Sequence, residues 1–297
     1  MKKDNSKPVV TIWCFVYNHE KYLRQCLEGF IMQHTDFPFE TIVHDDVSTD
    51  SSVEIIREYA ERYPDIIKPV YETENQYSKK DGSLDRVMLA HTKGKYVASC
   101  EGDDYWTDPL KLQKQVDFME SHPDYSMCAH NAIVYNQATN SVEAFSDIPK
   151  DCDLSVHDAI SGWKIATASL LVRREYMPYP DWLARIYSGD YALILRALNG
   201  GKIRVMKDYM SVYRKDPAGH SVSSNLTDGF VYSQQNILLE SFNKGTQGKY
   251  NDEICKRMER NSKYVRYAKR KEKGLIFCIF DPIFYKKLLD YFKKKRS

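Results

Sequence analysis

Residues 9–16 read VVTIWCFV, a nearly continuous run of apolar, β-branched and aromatic side chains. Such a run is typical of a strand that is buried on both faces of a parallel sheet. Apolar side chains then recur at helical spacing over residues 19–33, and Asn18 is placed to cap that helix. The chain therefore opens with a strand, a turn and a helix.

The same order repeats along the first half of the chain. Short apolar runs predict further strands at residues 40–44, 66–71 and 96–100. Repeated alternation of strand and helix favours βαβ units, and hence an α/β fold with a mostly parallel sheet flanked by helices. The second half alternates less regularly and contains further strand candidates at residues 127–135, 168–173 and 202–206.

Composition narrows the class of protein. Hydrophobic residues make up 42% and charged residues 28% of the 297 positions, so a folded globular chain is expected. The seven cysteines are scattered and contain no CxxC pair, which indicates reduced structural thiols of a cytosolic protein. No secretory segment precedes the first strand, and no apolar run reaches the ~18–20 residues that span a bilayer. We therefore expect a cytoplasmic protein.

Acidic and basic residues are segregated along the chain. The net charge is +2, but residues 256–297 carry fifteen Lys or Arg against four Asp or Glu. Apolar and aromatic residues at 274–280 and 283–292 lie between these cations. The pattern suits peripheral contact with the anionic inner face of the plasma membrane, and packing of the aromatics on the domain is the alternative. Nucleic acid is not an expected partner, because no reader motif accompanies the charge.

Polar pairs follow three of the predicted strands, namely Tyr17-Asn18, Asp45-Asp46 and Asp103-Asp104. Ligands of open α/β sheets bind beyond the carboxyl ends of the strands, so these pairs are expected to converge. Asp103 and Asp104 would repel each other unless a cation or hydrogen-bond donors lay nearby. Mg²⁺ and Mn²⁺ prefer carboxylate oxygens together with substrate phosphates. Capping of the following helix is the alternative for this pair.

Five blocks, taken together, carry a resemblance to a known family. They are VTIWCFVYN at 10–18, DDVSTD at 45–50, GKY at 94–96, EGDDYW at 101–106 and GD at 189–190. In these blocks the chain resembles family 2 glycosyltransferases of the bacterial surface-polysaccharide type, which have the GT-A fold. The resemblance implies a GT-A (Rossmann-like) catalytic domain at residues 1–230 and a helical, basic C-terminal extension at residues 231–297.

The resemblance also implies which side chains bind the nucleotide. Phe15 and Tyr17, together with Asn18, would line the nucleobase site, because an aromatic side chain offers a stacking face. Asp46 would accept a hydrogen bond from the base, since the imide N–H of uracil is a donor. Core packing of Tyr17 and a turn-forming role of Asp46 are the alternatives. Arg86 lies in a polar stretch that would touch the diphosphate, and a surface position is its alternative.

The metal site is implied by the same resemblance. Asp104 would bind Mn²⁺ or Mg²⁺ directly, and Asp103 would face the ribose or the metal. Glu101 stands where many DXD sequences carry their first acid. His220 lies in the stretch YRKDPAGHS at residues 213–221, which resembles the family loop that folds over the site. His220 is therefore a further candidate for metal or diphosphate binding, and a solvated loop histidine is the alternative.

The catalytic base is expected in the second half of the chain. Inverting transfer at an anomeric carbon needs a carboxylate that takes the proton of the incoming hydroxyl. Asp190 precedes an apolar helical pattern and stands where the family places its catalytic carboxylate. A helix cap is the alternative for Asp190, and both roles are compatible.

The resemblance thus implies an inverting, metal-assisted glycosyltransferase. The expected donor is a nucleotide-diphosphate sugar, in the first place a UDP-sugar. The expected acceptor is a saccharide or lipid-linked saccharide in surface polysaccharide synthesis. A catalytically silent protein of the same fold that binds nucleotide-sugar or acts as a scaffold is the alternative. A nucleotide-dependent dehydrogenase is excluded, because YNHE follows the first strand where GxGxxG would be needed.

Overall fold

The computed structural model describes residues 7–162, 165–186, 188–215 and 228–272. The chain divides into two compact units. The large unit comprises residues 1–180 and 190–219, and the small unit comprises residues 181–189 and 220–297. The boundary predicted between residues 230 and 231 falls inside a helix of the small unit. We therefore propose residue 220 as the start of the C-terminal extension.

The described part of the large unit contains one mixed sheet. Its strands are β1 (Val10–Val16), β2 (Phe39–Asp45), β3 (Ile67–Tyr71), β4 (Tyr96–Glu101), β5 (Tyr105–Trp106), β6 (Tyr125–Asn136), β7 (Ser141–Ala144), β8 (Cys152–Asp153), β9 (Leu171–Arg173) and β10 (Lys202–Lys215). The α-helices within the described residues are α1 (Leu23–Ile31), α2 (Ser52–Arg62), α3 (Gln76–Lys79), α4 (Ser83–His91), α5 (Lys111–Ser121), α6 (Val156–Ser161), α7 (Gly189–Gly200), α8 (Asp228–Gly245) and α9 (Asn251–Glu272).

The strands lie in the order β3-β2-β1-β4-β9-β6-β10-β5, with β7 paired to β6 and β8 to β10. The first four strands of this order are parallel, as the alternation of strands and helices predicted. β9 is antiparallel to both β4 and β6, whereas β6 and β10 are parallel. The α/β fold with a sheet flanked by helices is thus confirmed, and the less regular second half is where antiparallel strands enter.

β1 is buried on both faces, as its apolar run predicted. Val10, Ile12, Cys14 and Val16 alternate along one face and join the main apolar core, to which α1, α2 and α5 contribute. On the other face, Trp13 donates from Nε1 to Oγ1 of Thr92, which follows α4, over 2.8 Å. Helices therefore cover the sheet on both sides, and its ligand-accessible groups lie at the ends of the strands.

β10 is much longer than the strand predicted at residues 202–206. Irregular register between Met206 and Ser211 lets the strand continue past the polar pair Lys207-Asp208 to Lys215. The sequence pattern missed this continuation, because a bulge breaks the period-two alternation. Arg214 therefore belongs to the end of a strand and not to the loop in which the sequence placed it.

The small unit contains an antiparallel pair of helices, α8 and α9. The turn between them contains Gln247 and Gly248 at positive φ, 53° and 78°. The rings of Tyr232 and Tyr264 stack with centroids 4.7 Å apart, and Nδ2 of Asn261 donates to Oδ1 of Asn236 over 2.8 Å. The pair is held by side-chain contacts along its length as well as by its connecting turn.

Six cysteines lie within the described residues, and all are free thiols. This agrees with the reduced state predicted from their scattered positions, and Cys278 lies outside the described residues. None of the helices in the described part of the chain is both long and apolar enough to cross a bilayer.

Lys111, the first residue of α5, has no exposure to solvent. Its Nζ donates to Oε1 of Gln115 over 2.8 Å and lies 4.0 Å from the centroid of the Trp106 ring. Burial lowers the pKa of Lys111 to about 7. The ring face favours the charged form, but loss of hydration outweighs this effect for a fully buried amine. Gln115 in turn donates to the carbonyls of Cys128 and Ser169, which ties α5 to the sheet.

We expect Lys111→Met to flatten the pH dependence of stability above neutral pH. The pKa of Lys111 rises from about 7 in the fold to 10.5 in the unfolded chain. The unfolded state therefore binds more protons between these values, and stability rises with pH across this window by up to about 1.4 kcal/mol per pH unit. Urea unfolding at pH 7, 8 and 9 measures the slope. Lys114→Met is the control, because Lys114 is partly exposed and paired with Asp108. This variant should keep the wild-type slope of stability against pH. An unchanged slope in Lys111→Met would contradict the lowered pKa.

Candidate functional site

The parallel register brings three polar loops to one edge of the sheet. Phe15 of β1 lies beside His44 of β2 and Glu101 of β4. The amide of Asp46 donates to the Val16 carbonyl, and the amide of Gly102 donates to the Phe15 carbonyl, both over 2.9 Å. The loops after β1, β2 and β4 therefore start at the same level. We call residues 17–19, 46–48 and 102–104 the carboxyl edge.

Asn18 holds the first two of these loops together. Its amide donates to Oγ of Ser48 over 2.9 Å, and its Oδ1 accepts the amide of Thr49 over 2.7 Å. The predicted cap is therefore wrong, because α1 begins only at Leu23 and the Asn18 side chain is turned to the second loop. Val47 adopts a φ of 68°, which for a β-branched residue costs ~1–3 kcal/mol. The interlocked loops offset this strain.

Asp46 binds the loop that contains α3. The residue is 5% exposed, and its two carboxylate oxygens accept the amides of Gln76 over 2.6 Å and Tyr77 over 3.0 Å. Nδ2 of Asn75 donates to the Asp46 carbonyl over 3.0 Å. Each carboxylate oxygen has a second lone pair, so a further hydrogen bond from a nucleobase is compatible with these contacts. The predicted nucleobase contact of Asp46 stays a prediction.

Tyr77 is a site candidate that sequence reasoning missed. Burial, followed by the negative charges of Glu101 and Asp190, raises the pKa of its phenol. The phenol therefore lies within electrostatic range of both carboxylates, while 46% of the residue remains exposed. No strand-end pattern marks Tyr77, because it lies on a short helix whose position depends on Asp46.

Glu101, the last residue of β4, has a carboxyl within electrostatic range of two other acidic groups. The residue is exposed to solvent, and yet the protein around its carboxyl, with the charges of Asp103 and Asp190, raises its pKa to about 8. Gly102 allows this packing, because a Cβ there would lie 2.7 Å from Nδ1 of His19. Asp190, distant in sequence, lies within electrostatic range of the Glu101 carboxyl.

The adjacent residues Asp103 and Asp104 differ in their surroundings. Oδ1 of Asp103 is buried and accepts no hydrogen bond from any residue that the structure describes. Asp104 is 2% exposed, and its Oδ1 accepts the amide of Arg214 over 2.8 Å. Burial, with the charges of Asp103 and Glu101, raises the pKa of Asp104 well above its ordinary value. Asp104 is thus tied to Arg214 through one oxygen, whereas Oδ1 of Asp103 has no donor among the described residues.

Asp190 lies in the first turn of α7, which begins at Gly189. The residue is exposed, and its Oδ1 accepts the amide of Tyr191 over 2.8 Å. The N-terminal turn of a helix stabilises negative charge. Asp190 thus combines contact with its helix, exposure to solvent and electrostatic influence on Glu101.

The remaining predicted residues occupy three different environments. The Phe15 ring is partly buried, and Tyr17 is 38% exposed at the end of β1. The Arg86 side chain, on α4, is 61% exposed and lies 3.5 Å from a carboxylate oxygen of Asp81. The surface alternative named for Arg86 thus fits its position. His220 lies outside the described residues.

The donor set fits a divalent cation that completes its coordination with substrate oxygens. No group of three or more His, Cys, Asp or Glu side chains within the described ranges is arranged to hold a metal ion. Mg²⁺ is commonly bound by one or two carboxylates plus substrate phosphates and waters. The unpartnered Oδ1 of Asp103 is compatible with that mode of binding.

We expect Asp46→Ala to loosen α3 without unfolding the sheet. Loss of the carboxylate leaves the amides of Gln76 and Tyr77 without their acceptor, which costs about 1–3 kcal/mol. Hydrogen exchange at these two amides should accelerate. Asp50→Ala is the matched control, because Asp50 also accepts two backbone amides, from Glu20 and Ser52. Equal exchange at residues 76 and 77 in both variants would show that Asp46 does not position this segment.

Solved structures with the same fold contain bound nucleotide-sugars. S. aureus TarS in complex with UDP-GlcNAc superposes with a TM-score of 0.59 at 20% identity, covering 78% of this chain and 66% of TarS. The mannosyltransferase PcManGT from Pyrobaculum calidifontis, in complex with GDP-Man and Mn²⁺, superposes with a TM-score of 0.54 at 18% identity. That match covers 91% of this chain and 77% of PcManGT. At these identities the likeness establishes a shared GT-A fold.

Sequence comparison covers most of the large unit. The uncharacterized protein Rv1520 of Mycobacterium tuberculosis is 39% identical over 207 residues, which are 68% of this chain. The chain spans 58% of the length of that relative. The family model described as Glycosyl transferase family 2 matches residues 11–201, which include four blocks of the resemblance and all but the first residue of the block at 10–18. The chain therefore belongs to glycosyl transferase family 2 and has the GT-A fold that its sequence predicted.

Proposed function

We propose that this chain is an inverting glycosyltransferase that moves a sugar from a nucleotide-diphosphate sugar to a saccharide or lipid-linked saccharide in surface polysaccharide synthesis. The observation that carries the proposal is that Glu101 lies within electrostatic range of both Asp103 and Asp190. Carboxylates gathered in this way need a compensating proton, cation or donor. A substrate diphosphate with its divalent cation would supply that compensation.

Asp190 is the proposed base. In the transfer, the acceptor oxygen forms a bond to the anomeric carbon while the bond from that carbon to the diphosphate oxygen breaks. The proton of the acceptor hydroxyl passes to the Asp190 carboxylate, and the nucleoside diphosphate leaves on the opposite face. The exposure of Asp190 and its place in the first turn of α7 support this role.

Asp103 is the proposed principal ligand of Mn²⁺ or Mg²⁺, because its Oδ1 has no donor among the described residues. Asp104, which the sequence favoured for direct binding, is proposed to anchor the turn through the Arg214 amide. The bound ion would neutralise charge that develops on the diphosphate leaving group. Participation of His220 stays a prediction.

The nucleotide is proposed to lie across the ends of β1 and β2. Phe15 and Tyr17 would offer aromatic faces to the base, and Asp46 would accept a hydrogen bond from an N–H group of the base. We add Tyr77, whose phenol lies near Glu101 and Asp190, as a residue that contacts the donor sugar or diphosphate. A UDP-sugar is the preferred donor, in keeping with the bound UDP-GlcNAc of TarS.

The cations of the C-terminal segment are proposed to contact an anionic membrane surface. On α9, the exposed residues Lys256, Arg260, Lys263, Arg266 and Arg270 recur at spacings of three and four. This spacing places them on one side of the helix. The tail beyond residue 272 adds further cations in sequence. Such a surface would hold the enzyme beside a lipid-linked acceptor.

Donor turnover tests the catalytic proposal. We expect the full chain to release nucleoside diphosphate from one member of a panel of UDP- and GDP-sugars with MnCl₂, and EDTA to abolish release. Asp190→Asn should lower turnover by about 10²–10⁴ while leaving UDP binding, measured by calorimetry, unchanged. Asp252→Asn, the same change in the first turn of α9, should leave turnover intact.

Turnover at the wild-type rate in Asp190→Asn would reject the assigned base. UDP binding without turnover of any donor by the wild-type chain would instead favour the catalytically silent alternative.

Vesicle binding tests the membrane proposal. We expect the full chain to float with phosphatidylglycerol vesicles and not with phosphatidylcholine vesicles. Each basic residue near an anionic surface contributes about 1 kcal/mol, so replacing Arg266, Lys269 and Arg270 by Gln should weaken binding by about two orders of magnitude. The control replaces the exposed large-unit residues Arg62, Lys93 and Lys150 by Gln. Equal loss in both triple variants, or equal flotation with neutral vesicles, would contradict a specific role of α9.

A further inference from the structure

We propose that Arg214 is a positioning residue that orients the Asp103-Asp104 turn toward its cation and diphosphate. The inference deepens the proposed function and rests on it for the identity of the ligand. Arg214 lies near the end of β10, a strand that runs from Lys202 to Lys215. It belongs to the same large unit as the carboxyl edge.

Arg214 contacts both acidic residues of the turn. Its backbone amide donates to Oδ1 of Asp104 over 2.8 Å, and its Nε donates to the carbonyl oxygen of Asp103 over 2.9 Å. One contact therefore secures a side chain, and the other secures the backbone of the neighbouring residue. Together, these two hydrogen bonds oppose rotation of the turn, and such a rotation would redirect the Asp103 carboxylate.

The guanidinium group is itself held on several sides. Nη2 donates to Oε1 of Gln25 over 2.6 Å. The central carbon lies 4.6 Å from the centroid of the Tyr22 ring and 5.1 Å from that of Tyr105. Only 8% of Arg214 is exposed. The group therefore links α1, the turn after β4 and β10 at one point.

These contacts require arginine and not merely a positive charge. A guanidinium is planar, stacks on aromatic rings and directs several N–H groups in fixed directions, whereas a lysine ammonium is a compact point charge. Lysine at position 214 would keep the backbone contact to Asp104. It would lose the hydrogen bond from Nε to the Asp103 carbonyl, the hydrogen bond from Nη2 to Gln25 and the contacts with the Tyr22 and Tyr105 rings.

The consequence is a division between two adjacent carboxylates. One oxygen of Asp104 accepts the Arg214 amide, whereas Oδ1 of Asp103 accepts no hydrogen bond from the residues described. Partners behind a ligand commonly change metal affinity by ~10–100-fold when they are removed. Arg214 would act on the cation in this way, through the turn and without touching the ion.

Mn²⁺ affinity is the readout that separates positioning from simple stability. We expect Arg214→Lys to weaken binding of MnCl₂, measured by electron paramagnetic resonance with saturating UDP, by at least about tenfold. Arg204→Lys is the matched control on the same strand. Arg204 also lies over an aromatic ring, 5.3 Å from the Phe118 centroid, and pairs with Asp153 over 3.0 Å. Arg204→Lys should lose about as much thermal stability as Arg214→Lys and should keep the wild-type affinity for Mn²⁺.

A second variant guards against failure of Arg214→Lys to fold. Gln25→Leu removes the acceptor of Nη2 at an exposed position of α1 and should weaken Mn²⁺ binding in the same direction by a smaller factor. Wild-type Mn²⁺ affinity in Arg214→Lys, or equal weakening in Arg204→Lys, would overturn the proposal.

Hydrogen exchange distinguishes this proposal from the proposed function. The Asp104 amide donates to the Glu101 carbonyl over 3.0 Å, so exchange in residues 101–106 reports on the turn without any ligand. We expect faster exchange there in Arg214→Lys than in Arg204→Lys. If the wild-type chain binds neither UDP nor Mn²⁺, the proposed function is wrong. Hydrogen exchange in residues 101–106 is then the test of whether Arg214 positions the turn. Unchanged exchange in Arg214→Lys would then reject this positioning role.

Discussion

Repulsion between carboxylates gathered at one edge of the sheet is the constraint on which the site depends. Parallel pairing of β1 with β2 and β4 aligns the strand ends, and α7 adds Asp190 to the same region. Burial, together with the charges of Asp103 and Asp190, raises the pKa of Glu101 to about 8. The fold must therefore supply donors for some of these groups and leave others for a ligand.

The acidic residues divide accordingly into anchors and open groups. Asp46 receives two backbone amides and Asp104 receives one, so each buried carboxylate is hydrogen-bonded. The open groups are Asp103, whose Oδ1 accepts no hydrogen bond from the described residues, and Asp190, which is exposed to solvent. The anchors keep the loops in place, and the open groups are those to which we assign chemistry. A GT-A fold by itself would not make this distinction, because function depends on the site built on the fold.

The rigidity of the carboxyl edge comes from contacts between segments that are distant in the chain. Asn18 ties the loop after β1 to the loop after β2, Asp46 ties that loop to α3, and Arg214 ties the turn after β4 to β10. The strained backbone at Val47 persists within this set of contacts. Because the segments are linked in series, displacement of one loop would disturb its neighbours.

The sequence by itself determined the parallel first half of the sheet and the convergence of acids at its edge. Apolar runs report burial locally, and parallel strands that end in acids must bring those acids together. Only the tertiary structure decided that Asp104 accepts the Arg214 amide, that Asn18 braces a loop, and that Tyr77 lies within electrostatic range of Glu101 and Asp190. The contact between Asp104 and Arg214 joins residues 110 positions apart. No periodicity encodes such a contact, because it depends on how the strands and helices pack.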